Sequence, residues 1–141
     1  MPNKYYPFDA RLSHRALGSA ALTATATLAT IDQKTAMRTA FLTRFVIENI
    51  DVSSANELYT IVIEGSNDAF TTFETLAAYT LGHTSVRLGA APSSAAGFTL
   101  DLLWTTEQLG LVYDQARIRV VMAGTTPSLT VGCYSTIMPG A

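Results

Sequence analysis

Reactive and charged side chains are scarce in this 141-residue chain, and each scarcity excludes something. A single cysteine, Cys133, leaves no internal disulfide framework and no zinc site built on several thiolates. The two histidines, His14 and His83, lie far apart and lack the spacing of a metal pair or an HExxH helix, so each reads as a surface or loop residue. Charged residues make up 14% of the chain, against roughly a quarter in an average soluble domain, and lysine occurs only at Lys4 and Lys34. The net charge is −2 and the arginines are intermixed with eleven acids, which argues against nucleic acid as a partner. No apolar run approaches the roughly 20 residues of a membrane-spanning helix, so no membrane partner is expected. Lys4, Arg11 and Arg15 ahead of Ala16–Leu22 only loosely imitate a secretory leader, because Asp9 interrupts the basic part and the apolar part is short. Glycine patterns of the Walker, dinucleotide or nucleophile-elbow kind are missing. Asp51, Asn56 and Glu57 could share a cation near one loop, but loops with an acid or two are commonplace. The expectation is a protein that is not an enzyme and needs no cofactor.

What the chain has in plenty is alternation. Apolar residues make up 48%, and the 20 threonines are β-branched residues suited to pleated surfaces. Leu22, Ala24, Ala26 and Leu28 alternate with threonines, and Asp32–Lys34 reads as a turn. Met37–Ile50 is extended but carries apolar residues in both parities: Phe41, Phe45 and Ile47 in one, Leu42, Val46 and Ile50 in the other. It is therefore either covered on both sides or shifted by a bulge. Leu58–Glu64 points Tyr59, Ile61 and Ile63 one way. Phe98–Trp104 points Phe98, Leu100, Leu102 and Trp104 one way, and Ile118, Val120 and Met122 repeat the pattern with Arg117 and Arg119 outward. Leu129, Val131, Cys133 and Ile137 form a last inward row, with Cys133 a buried, inert thiol. Phe70–Leu81 has no firm period, Val86–Leu88 could form a short strand, and Gly89–Gly97 is a loop of small residues. The one helix expected is Ala10–Leu17, between Asp9 and Gly18. About eight strands at this spacing predict an all-β fold, an antiparallel two-sheet β-sandwich over residues 21–141, preceded by an extended N-terminal arm over residues 1–20.

Candidate contact residues follow from apolar groups with no core to enter. Tyr5, Tyr6, Pro7 and Phe8 gather large rings beside proline ahead of the first strand, a combination suited to binding at low entropic cost. Leu103 faces away from the Trp104 row; Leu58 and Val62 face away from the Tyr59 row. In a chain with so few charges, these are either a contact patch or residues of central strands covered on both sides.

The stretch from Glu57 to Phe70, with its apolar strand followed by Gly65-Ser66-Asn67-Asp68 and Phe70, resembles a hairpin of small virion proteins of tailed bacteriophages. With the length, the Ala/Thr-rich first strand and the aromatic arm, the chain is similar to capsid cement, or decoration, proteins. That resemblance implies a sandwich of jelly-roll type that works as a homodimer or trimer on the outer surface of the virion. It would stabilise the capsid there by bridging subunits of the major capsid protein. The alternative function is a carbohydrate-binding β-sandwich module of a phage tail or fibre, which would need an exposed platform of Trp104 with Tyr59 or Tyr113.

Overall fold

The computed structural model describes residues 12–86 and 97–138. Among them ten strands follow in chain order: β1 (Ser13–Arg15), β2 (Ala26–Asp32), β3 (Ala40–Ile50), β4 (Leu58–Ser66), β5 (Glu74–Gly82), β6 (Phe98–Thr105), β7 (Glu107–Gln108), β8 (Leu111–Val112), β9 (Gln115–Ala123) and β10 (Leu129–Ile137). Eight of them form two four-stranded antiparallel sheets, ordered β1-β10-β3-β6 and β2-β9-β4-β5, while β7 and β8 make a separate hairpin. The chain is thus an all-β sandwich, as the alternation predicts.

The pairing follows a simple rule once the hairpin is set aside. The first strand pairs with the last (β1 with β10), the second with the next to last (β2 with β9), the third with β6 and the fourth with β5. One antiparallel ribbon of paired strands therefore runs the length of the fold, and the pairings of β10 with β3 and β9 with β4 close it into two sheets. Each sheet offers an apolar face that only the other can cover.

Inward residues are those whose parity predicts it. Tyr59, Ile61 and Ile63 of β4, Ile118 and Val120 of β9, Phe41, Phe45 and Ile47 of β3, and Leu129, Val131 and Cys133 of β10 make the core, with Trp104 stacked on Phe41 at 4.6 Å between ring centres. The two parities of β3 are explained by both devices at once. Thr130 faces Asn49 while Val131 faces Ile47, so Glu48 is an extra residue that returns Ile50 to the inside. Leu42 and Val46 stay half-buried on the outer face.

Two expectations need correction. Residues 13–15 form a strand rather than the middle of a helix, because pairing with β10 satisfies their backbone groups and an isolated eight-residue helix is marginal. Val86 lies in a turn closed by its N–H to the His83 carbonyl at 3.2 Å, not in a strand, and residues 87 and 88 are outside the described residues.

Sequence periodicity gives no hint of a polar row inside the first sheet. Trp104 Nε1–H donates to Thr43 Oγ1 at 2.7 Å, Thr43 Oγ1 lies 2.7 Å from Ser135 Oγ, and Ser135 Oγ lies 2.8 Å from His14 Nε2. One residue comes from each strand of that sheet: β6, β3, β10 and β1. Apolar packing tolerates small slips; a hydrogen-bonded row inside a core does not. Replacing Thr43 by Val keeps the volume but orphans the buried indole N–H. Urea unfolding of Thr43→Val is expected to show a loss of about 1–3 kcal/mol.

Candidate functional site

The two ends of the sandwich differ in kind. At one end the 51–57 loop, the turn after β5 and the turn after β9 converge on Glu57, and the chain is sealed backbone against backbone. Gly82 and Gly124 both adopt positive φ, and a side chain on Gly82 would strike the Glu57 carbonyl. A Cβ on Gly124 would stand 2.7 Å from Glu57 Cα. The Tyr59 hydroxyl donates to the Asp51 carbonyl at 2.5 Å and accepts the Ser128 N–H at 2.9 Å. The Glu57 carboxylate is buried, which alone would raise its pKa. Hydrogen bonds from the Ser54 N–H at 2.9 Å and the Thr126 hydroxyl at 3.1 Å, with its own backbone, outweigh that and hold it below the usual range. Asn56 is bonded to Thr125 and Asp51 caps Ser53, so the three side chains considered for a cation serve the loop's own donors and hydroxyls. No grouping of three or more His, Cys, Asp or Glu fit for a metal occurs among the described residues.

Large apolar side chains collect at the other end, where β2, β4, β6 and β10 finish. Met37, Phe73, Leu111 and Ile137 are exposed there, and Leu109 at the tip of the β7–β8 hairpin is 98% exposed. Ile137 continues the inward parity of β10, yet it is 53% exposed at the open rim of the sandwich; its expected place in the core is corrected. It forms one wall of an open cleft with Leu12, Ile31 and Phe41. Leu103 is 68% exposed on the outer face of the first sheet, two residues before β6 ends, beside Leu42 of β3.

The hairpin that carries Leu109 is held firmly from below. Thr106 is buried, donating its hydroxyl to the Met37 carbonyl at 2.6 Å and its N–H to the Thr39 carbonyl at 3.0 Å. Arg38 pairs with Glu107 at 3.1 Å. Asn67 donates to the Val112 carbonyl and accepts the Asp114 N–H, both at 2.8 Å, so its side chain substitutes for a strand partner. Leu109 and Gly110 both have positive φ, +52° and +79°. A two-residue turn of that shape favours Asn-Gly; leucine there is strained and its side chain touches water.

The stretch from Gly65 to Phe70 is fully occupied with building this end. A Cβ on Gly65 would press on the Tyr113 ring at 2.8 Å. Ser66 Oγ accepts the N–H groups of Asp68 at 3.1 Å and Phe70 at 2.9 Å. Asp68 accepts the Thr72 hydroxyl at 2.7 Å and the Thr72 N–H at 2.9 Å, and these bonds lower its pKa. Ala69 and Phe70 are thereby held at positive φ. The Phe70 and Phe73 rings lie 4.5 and 4.6 Å from the Arg117 guanidinium, which pairs with the buried Glu64 at 2.7 Å.

Of the residues singled out from the sequence, Leu103 stands near this apolar end. Leu58 is half-buried on the outer face of the second sheet at the opposite end, and Val62 on that face is buried, so the structure does not bring Leu58 and Leu103 together. Tyr5, Tyr6, Pro7 and Phe8 lie outside the described residues; Leu12, a few positions on, lines the cleft. Sequence reading misses Leu109, although Leu-Gly between two short polar-apolar runs is a turn signal once leucine is allowed at positive φ. Trp104, Tyr59 and Tyr113 are buried, so the three rings proposed for a sugar platform are inside the molecule. No family model, curated protein or solved structure matches the chain.

Two outcomes follow for this end. Leu109→Asn relieves the strained turn and is expected to raise stability by roughly 1 kcal/mol in calorimetry. Asp68 has a depressed pKa when folded, so its contribution is present above its ordinary 3.8 and lost as pH falls through the folded value. Melting temperatures between pH 6 and pH 2, values set by the experimenter at roughly two units either side of that range, should therefore fall less steeply for Asp68→Asn than for the native chain.

Proposed function

We propose that this chain is a structural protein of a tailed-phage virion, bound to the outer surface of the capsid, where it bridges subunits of the major capsid protein. The observation that carries the reading is the gathering of exposed apolar side chains at one end, led by Leu109 on a strained turn. A protein with few charges keeps such groups in water at a cost, and contact with another protein is the physical return. The ribbon pairing of first strand with last, second with next to last, supports the finer description of the sandwich as a jelly roll of eight strands.

Cement action needs no chemistry. A protein that binds only the assembled shell stabilises it by mass action, and many copies on one shell act together. The braced hairpin presents Leu109 and Leu111 on a backbone that is already ordered, which lowers the entropic cost of docking. Tyr5, Tyr6, Pro7 and Phe8 enter this reading as a clamp that extends the contact.

Co-sedimentation with empty shells assembled from the major capsid protein of the same genome tests the reading. The native chain should bind at saturating stoichiometry and raise the shell's melting temperature. Leu109→Asn, though more stable by itself, should bind at least tenfold more weakly, and removal of Met1–Phe8 should leave a soluble fold that decorates poorly. Failure of the native chain to sediment with the shells, or undiminished binding by Leu109→Asn, overturns it. Retention on a glycan array instead would turn the argument to the carbohydrate-binding alternative.

A further inference from the structure

The polar row of the first sheet has a direction. An indole N–H can only donate, so Thr43 Oγ1 must accept from Trp104. The indole hydrogen and both hydroxyl hydrogens of the row then find acceptors within it in one arrangement only. Thr43 donates to Ser135, Ser135 donates to His14 Nε2, and the imidazole is neutral with its proton on Nδ1. A protonated His14 would have to donate through Nε2. Ser135 would then turn round, and one hydroxyl hydrogen would be left in a fully buried site without an acceptor.

We propose that this row is a pH-operated latch: neutral His14 fastens β1 to the core, and protonation of His14 unfastens it. β1 suits this role. It is three residues long, lies at the sheet edge, and its register with β10 is irregular between Ser13 and Arg15. Besides this short pairing, the Arg15 Nε–H to the Val131 carbonyl at 3.0 Å and Leu12 on the core hold it in place.

Among the described residues, the surroundings of the ring supply no counter-charge. From β10 the imidazole meets Ser135, with the buried Cys133 thiol two residues away, whose pKa burial pushes up to about 12. From β3 the row offers Thr43. The charged groups of the adjoining strands are engaged elsewhere: Arg15 with the Val131 and Ala20 carbonyls, Arg44 with Asp101, Asp32 with Lys34, and Glu48 with the Gly18 N–H. Burial accordingly lowers the pKa of His14 from its ordinary 6.5. A histidine depressed in the folded state adds stability that is whole above that ordinary value and fades as pH falls toward the folded one. Unfastening β1 would bare the edge of β10 and remove the Leu12 wall of the apolar cleft, so acid would act on the end of the molecule described above.

Trp104 is the only tryptophan, so its indole resonance reports the far end of the row in the intact chain. Nitrogen-15 NMR of the native protein near neutral pH should show His14 as the Nδ1–H tautomer. On acidification, the indole N–H resonance and the backbone amides of residues 13–15 should move together, with a midpoint below 6.5, while the amides of β4 and β9 stay in place. In His14→Gln the indole resonance should not respond to pH over that range. Ser135→Ala, which cuts the row between its ends, should leave His14 titrating and the indole silent. An Nε2–H tautomer in the native chain, an indole resonance that ignores the His14 titration, or an equal response in His14→Gln overturns the proposal. The tautomer and the native titration need no variant to fold.

Discussion

Two greasy sheets laid face to face attract each other whatever their register, so attraction alone does not select one arrangement. Direction comes from the hydrogen-bonded row of Trp104, Thr43, Ser135 and His14, which takes one residue from each strand of the first sheet. Sliding any of those strands by one position would turn its polar member outward and leave a partner unsatisfied in the core. The second sheet is fixed differently, on its outer face, by Glu64 between Arg117 and Arg119. With both registers set, the loops at either end fall where they do.

Much of this architecture is legible in the sequence, and the parts that are not share a cause. β4, β6 and β9 announce themselves because Tyr59, Ile61 and Ile63, Phe98 to Trp104 in every second position, and Ile118, Val120 and Met122 each keep one apolar parity throughout. β3 is ambiguous from sequence because a single extra residue, Glu48, switches parity halfway, and a bulge leaves no mark on composition. Ser13–Arg15 reads as helix because its neighbours suit one; the strand exists only by virtue of β10, more than a hundred residues away in sequence. The same limit hides His14, whose role depends on a partner at position 135. Leu103 is visible as a contact candidate by parity alone. Leu109 is not, since a leucine at positive φ defies the preferences by which turns are recognised.

The stretch that carries the resemblance to virion proteins is also the stretch whose structural duties are densest. Gly65 makes room for Tyr113, Ser66 and Asp68 hold the loop, Asn67 braces the hairpin, and Phe70 covers Arg117. A loop wired this closely transmits little motion, so the hairpin above it is a rigid mount rather than a swinging arm. Ala69, Phe70 and Leu109 hold positive φ at that end, where the surrounding bonds over-determine the backbone, and Ala55 does so in the loop at the other.

The glycine-sealed end has a bearing on heredity. Around Glu57, Gly82 and Gly124 leave no space for even a methyl group, and Tyr59 bolts two loops together beneath them. Descendants of this chain can lengthen, shorten or rewrite the opposite pole without disturbing that closure, whereas almost any insertion near Gly82 or Gly124 would prise it open. The Glu57 pole thus takes no added atoms at Gly82 or Gly124, while the opposite pole leaves its large side chains open to solvent.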